Sequence, residues 1–191
     1  MSQIAIKMNQ TTAPLLTPSI PAEDTEMVNN IFEGIKAHIG FVPDALKLYS
    51  ISPPLLQAFV GNIGYFTQGT NLPAVLTTMI RYLVSTKAEC QFCIDLNEGF
   101  LSNLGVDLDD ARRAKNDPQL APLDDKEKVL LLLALNSIND PDGVDKDDID
   151  QARQAGWSER DIFDAVAQAA SNRSLNYILR TFNVRQQGVF S

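Results

Sequence analysis

Residues 72–104 read LPAVLTTMIRYLVSTKAECQFCIDLNEGFLSNL, and this stretch decides the fold. Leu72, Val75, Leu76, Met79, Ile80, Leu83 and Val84 recur at the three- and four-residue spacing of one helical face. Past Lys87 comes a pair of cysteines, then Ile94, Leu96, Phe100, Leu101 and Leu104, with Gly105 placed to end a second helix. The pair, Cys90 and Cys93, sits at the start of that second helix.

Working outward, helical signals continue in both directions and no strand alternation intervenes. Asp24 is placed to cap a helix running to about His38, closed by Gly40 and Pro43. A short helix from Pro43 to Ser50 and a longer one from Pro54 to about Gln68 precede the quoted stretch. Beyond it, Asp107 opens a short helix and Asp124 or Asp125 a longer one. The latter is apolar all round to Leu135, which predicts a buried central helix. Asp140-Pro141-Asp142-Gly143 is a turn, and helices follow over about 145–155 and 159–182, the last capped by Ser158 with Asp161 three residues on. Leu104 to Asp110 echoes Ala155 to Asp161, a faint internal repeat of helical hairpins. Residues 1–22, rich in Thr and Pro, read as an extended N-terminal arm. Residues 23–191 read as a single all-α domain.

Composition narrows the function classes. With 191 residues and 45% apolar content the chain has a core of its own, and it needs no disulfide to fold. A net charge of −8 without a Lys/Arg stripe argues against nucleic acid. The longest apolar run, Val129 to Leu135, is far too short to span a membrane. Met1 to Gln10 lacks the pattern of a signal peptide, so a cytoplasmic location is expected.

The chemistry concentrates in the cysteines. Only two occur in the chain, and both fall in one tetrapeptide. Random placement would set them three residues apart in about one case per hundred. In a reducing compartment a Cys-x-x-Cys points to redox chemistry or metal binding, and zinc is disfavoured because two Cys and one His fall short of four ligands. On a helix the two thiols share a face and can close a disulfide. A first-turn thiol also meets unpaired N–H groups that lower its pKa. Glu89, Asp95 and Glu98 oppose that effect, against Lys87 alone. Phe92, inside the tetrapeptide, reads as core, and His38 as a capping or solvated residue.

Leu83 through Asn97 resembles the signature of the alkylhydroperoxidase D-like (AhpD-like), or carboxymuconolactone decarboxylase, superfamily. Gly40-Phe41-Val42-Pro43, Ser52 to Leu56, Ala155-Gly156-Trp157-Ser158 and Ala169 to Asn176 are similar to its longer, peroxidase-related members. The resemblance spans about residues 30–185. It implies an all-α, AhpD-like helical bundle and a thiol-dependent peroxidase or thiol–disulfide oxidoreductase, with Cys90 and Cys93 catalytic and Ser85 supporting them. In that family a His four residues after the second Cys and a Glu twelve before the first relay protons. Asn97 and Thr78 occupy those positions here, and neither titrates near neutral pH. Glu89 or Glu98 is then the candidate substitute base.

The expected mechanism has Cys93 attack a peroxide and Cys90 resolve the sulfenic acid as a disulfide, which a second dithiol reduces. No bound cofactor or metal is required. The rival is a non-catalytic, redox-sensing or interaction protein of the same fold. The family association implied is a homo-oligomer, a dimer or a trimer-based hexamer.

Overall fold

Caps and breakers in the chain set where each helix begins and ends. The computed structural model describes residues 13–190, and among them all regular structure is helical. α1 (Thr25–Ile39) closes on Gly40 at φ 87°, a left-handed position that suits glycine. α2 (Asp44–Tyr49) opens after Pro43. α3 (Pro53–Gly64) opens on Pro53, whose missing N–H is no loss in a first turn. The single helix expected to reach about Gln68 is divided, because α3 passes into a π-helical turn over Tyr65–Gly69. α4 (Ala74–Lys87) and α5 (Gln91–Asn103) follow as the quoted stretch predicts.

Acidic and hydroxyl caps start the remaining helices. Asp107 accepts the backbone N–H groups of Asp109 and Asp110 at the head of α6 (Leu108–Arg113). Reciprocal capping boxes start α7 (Asp125–Asn139), α8 (Lys146–Gln154) and α9 (Glu159–Thr181), built on Asp124/Glu127, Asp145/Asp148 and Ser158/Asp161. One expected cap is not made. Asp24 lies in a 3-10 turn, Ala22–Asp24, and its side chain accepts no cap hydrogen bond.

α4 is the centre of the bundle and packs on α5, α7 and α9, while α7 also packs on α8. Leu76, Met79, Ile80, Leu101, Leu130 and Leu131 are wholly buried there. The apolar run of α7 is buried at Leu130, Leu131, Leu133, Ala134 and Leu135, whereas Leu132 stays partly exposed on the side its neighbours leave open. A smaller core of Val28, Leu46, Tyr49 and Leu56 ties α1, α2 and α3 together.

Residues 1–12 of the expected arm lie outside the described residues. Residues 13–20 run along their own chain. The Leu15 N–H donates to the Phe182 carbonyl at 2.9 Å, and the Asn183 side-chain amide donates to the Ala13 carbonyl at 2.7 Å. The two echoed loops share a geometry. Gly105 at φ 79° and Gly156 at φ 88° each end a helix, and the next residue returns a 6→1 hydrogen bond, Val106 to Leu101 and Trp157 to Ala152. Among the described residues no helix is long and apolar enough to cross a membrane.

Candidate functional site

The turn between α4 and α5 places the cysteines. Glu89 adopts the left-handed conformation at φ 54°, donates its N–H to the Thr86 carbonyl, and lets Cys90 donate to the Ser85 carbonyl. This is the helix-ending pattern of the two glycine loops, made here by a residue with a side chain. A non-glycine residue held there stores of order 1 kcal/mol of strain. The connection is so tight that Cys90 both completes the end of α4 and serves as N-cap of α5, and Cys93 falls in the first turn.

Both thiols are reduced and buried, at 1% and 2% exposure. They are hydrogen-bonded to each other, so one proton is held between them and the first ionisation is eased at the expense of the second. Cys90 is the site of the easier ionisation. Its pKa is lowered to about 7, first by the hydrogen bond from Cys93 and against the penalty of burial, then by the Cys93 backbone N–H, the Asn176 amide and the Arg180 cation. Cys93 is pushed up by the same shared hydrogen bond and by burial. The sequence expectation had Cys93 as the attacking thiolate. The Arg180 cation acts on Cys90, which makes that thiol the other candidate for the role.

Three helices supply the polar groups around the sulfurs. Ser85 of α4 is fully buried, and its hydroxyl accepts from the side-chain amides of Asn172 at 2.9 Å and Asn176 at 3.1 Å, both on α9. Asn176 and Ser85 both lie against the Cys93 thiol and favour its anion. Arg180, one turn further along α9, donates to the Ala88 carbonyl at 2.6 Å and stands 3.6 Å from Glu89.

The carboxylates expected to suppress the thiolate are occupied elsewhere. Glu89 is exposed and faces Arg180. Asp95 is exposed and accepts from Gln91 at 2.6 Å. Glu98 accepts from Tyr82, Arg112 and Lys115, and these partners, Arg112 foremost, hold its carboxyl at about 2. Glu98 therefore stays ionised and tethered at neutral pH, which removes it as a substitute base. His38 is exposed in the last turn of α1 and Phe92 is buried beside the cysteines.

The two relay positions do meet, but through a third residue. Arg81 donates from Nε to the side-chain Oδ1 of Asn97 at 3.0 Å and from Nη2 to the Thr78 hydroxyl at 2.9 Å, with a long contact to Gln168 at 3.5 Å. Asn97 in turn donates to the Cys93 carbonyl at 2.7 Å. Burial lowers the Arg81 guanidinium to about 10, still far above the range in which it could exchange protons at neutral pH. Where a Glu/His relay is expected, this chain holds a cation bridged to a hydroxyl and two amides.

Sequence reasoning missed Arg81, Asn172, Asn176 and Arg180. A signal for three of them was present. Thr78, Arg81 and Ser85 interrupt the apolar face of α4 at spacings of three and four. Asp164, Gln168, Asn172 and Asn176 interrupt α9 every four residues, and all four are buried. Polar residues in register on two facing helices mark a seam. Among the described residues no group of three or more His, Cys, Asp or Glu side chains is placed to hold a metal ion.

No family profile and no curated protein matches the chain. Solved structures do. An uncharacterized peroxidase-related protein from a Silicibacter species superimposes with a TM-score of 0.80 at 22% identity, over 88% of this chain and 89% of its own. The AhpD-core, peroxidase-related protein of Ralstonia eutropha gives 0.82 at 18% identity, over 93% and 94%. The chain has the AhpD-like fold. The debrominase Bmp8, in a cysteine-to-alanine variant bound to 2,3,4-tribromopyrrole, shares it with a TM-score of 0.72 at 19% identity, over 95% of this chain and 94% of its own. The coverage is near-complete on both sides, so the likeness of fold extends over most of the chain.

Proposed function

We propose that the chain is a thiol-dependent, peroxidase-like oxidoreductase whose dithiol is Cys90 and Cys93. The observation that carries the reading is the hydrogen-bonded thiol pair at the head of α5, set among donors from α4 and α9 that favour an anion. The Cys90 thiolate attacks the distal oxygen of a hydroperoxide. An S–O bond forms, the O–O bond breaks, and the alkoxide leaves as an alcohol after taking a proton from solvent or from Cys93. Cys93 then attacks the sulfenic sulfur, closing the disulfide and releasing water. A second dithiol restores the pair by exchange. Ser85 and Asn176 position the sulfurs, and the chemistry draws on no bound cofactor.

Lacking a relay group, the reaction forgoes general acid–base help, typically about 10²–10⁴-fold. That loss, together with thiols under 3% exposed, favours a second reading, in which the pair senses oxidants slowly and signals without turnover. Steady-state reduction of cumene hydroperoxide with a dithiol reductant separates the two. Turnover that is lost in Cys90→Ser supports the enzyme. Disulfide formation limited to a single turnover supports the sensor.

We further propose a cytoplasmic homo-oligomer. A reducing compartment keeps the pair as thiols. Phe163 and Tyr177 of α9, at 72% and 52% exposure, offer apolar surface for a helical interface. A mass near one chain by light scattering at micromolar concentration would contradict the assembly.

A further inference from the structure

The chain carries 24 acidic residues against 16 lysines and arginines, yet Arg81, set among buried residues, faces no carboxylate. Arg112, Arg153, Arg160 and Arg180 each stand within ion-pair distance of an Asp or Glu. Among the described residues Arg81 has neutral acceptors only, the Asn97 and Gln168 amide oxygens and the Thr78 hydroxyl. The cause lies in the sequence. Residues 45–88 and 165–191 contain no Asp or Glu, so α4 and the C-terminal half of α9 bring no countercharge. The carboxylates adjacent along the chain are engaged. Asp164, one turn before Gln168 on α9, accepts from Tyr65 and Thr70 and pairs with Arg160. Glu98, next to Asn97 on α5, is held by Arg112 and Lys115.

A charge enclosed without a partner is costly, because water no longer solvates it. The protonation behaviour agrees. Glu98 raises the pKa of Arg112, whereas at Arg81 burial acts alone and lowers it to about 10. An arginine offers five N–H donors in a planar fork, and the three acceptors leave two of those of Arg81 unused. Two free N–H groups on one guanidinium suit the two oxygens of a carboxylate. Arg81 keeps part of its surface in solvent, which leaves a small ion a route to it. We propose that Arg81 is a binding site for small monocarboxylates, with Thr78, Asn97 and Gln168 holding the guanidinium in place. The site borders the dithiol. Asn97 also donates to the Cys93 carbonyl at 2.7 Å, and Ser85 follows Arg81 by one turn of α4. Binding there requires no turnover of peroxide by the thiols.

Sodium acetate is the probe, with acetamide as its neutral analogue and sodium chloride at equal ionic strength as the second control. In the full chain, acetate should shift the Arg81 Nε–H resonance of a nitrogen-15 spectrum saturably, and neither control should. At ten times the dissociation constant so measured, acetate should raise the melting temperature by roughly 3–6 °C. Arg81→Gln, which keeps a hydrogen-bonding amide but no charge, should lose that stabilisation. Should Arg81→Gln fail to fold, the resonance titration of the parent decides. No shift with acetate, or an equal shift with chloride or acetamide, overturns the site. Undiminished stabilisation by acetate in a folded Arg81→Gln overturns it as well. A chain that binds acetate at Arg81 but turns over no hydroperoxide would refute the peroxidase reading and leave the carboxylate site standing.

Discussion

Two polar clusters lie along one seam between α4, α5 and α9, about a turn apart. At one end Ser85, Asn172 and Asn176 surround a thiol pair whose first ionisation is drawn to about 7. At the other end Thr78, Asn97 and Gln168 surround Arg81, which burial lowers only to about 10. Both are buried and hydrogen-bonded, and both are built from the same three helices. They differ in what can ionise. The first gains or loses a proton near neutral pH, and the second keeps its charge throughout. The fold supplies a polar seam in either case, and the residue types alone decide whether that seam moves protons.

The sharpest way to break the comparison is to remove one sulfur at a time. Cys90→Ser should reduce peroxide turnover to background, while Cys93→Ser should leave a sulfenic acid on Cys90 that cannot close, detectable by mass after trapping with dimedone. A sulfenic acid trapped on Cys93 in Cys90→Ser, at a rate like the parent's, would reverse the roles assigned to the pair.

Converting the silent end into a relay is the next largest change. Thr78→Glu with Asn97→His should gain little, because the new carboxylate would pair with Arg81. Adding Arg81→Leu releases it, and the triple variant should then gain up to about 10²–10⁴-fold in kcat/KM. The full gain in the double variant would show that Arg81 does not block the relay.

A smaller effect tests the anion's support. In the parent, alkylation should rise as pH rises through about 7, because the lowered Cys90 pKa makes the thiolate available above that value. Asn176→Leu removes a donor to both sulfurs and should move the rise to higher pH, slowing alkylation at pH 7 by about tenfold per pKa unit. Unchanged midpoints would mean that the amide is only structural.

The flanking carboxylates should matter least. The Glu98 carboxyl, held at about 2, lies below its ordinary value, so its contribution to stability is present above about pH 4.3 and fades as pH falls toward 2. Glu98→Gln should lower the melting temperature by roughly 2–4 °C at neutral pH, discounted for the solvent-screened Arg112, and by less at pH 3. Glu89→Gly should stabilise the chain by up to about 1 kcal/mol by relieving the left-handed backbone. A loss of stability measured by urea unfolding would contradict that account of the turn.

Helices α4 to α9 could be placed from caps, glycines and apolar spacing because each signal acts within one or two turns. The division of α3 at Tyr65 could not. There the Tyr65 hydroxyl reaches the buried Asp164 carboxylate at 2.9 Å, 99 residues away. Cys90 and Cys93 were identified from spacing alone, and Ser85 from resemblance. Arg81 was overlooked because a lone Arg on an apolar face acquires meaning only when Asn97 and Gln168 are brought against it by α5 and α9.

The sequence by itself determined the all-helical architecture, the location of the dithiol at a helix start, and the absence of titrating groups at Thr78 and Asn97. All three depend on residue type and short-range periodicity. Only the tertiary structure brings Arg180 and Asn176 from α9 to the thiols, and with them the groups that favour an anion there. It also decided that Glu98 is paired with Arg112 and Lys115 and hydrogen-bonded by Tyr82, and that Asp44 accepts the N–H groups of Val189 and Phe190 at the far end of the chain. Electrostatic fields and burial act across space, and residues distant along the chain become neighbours only when the helices pack.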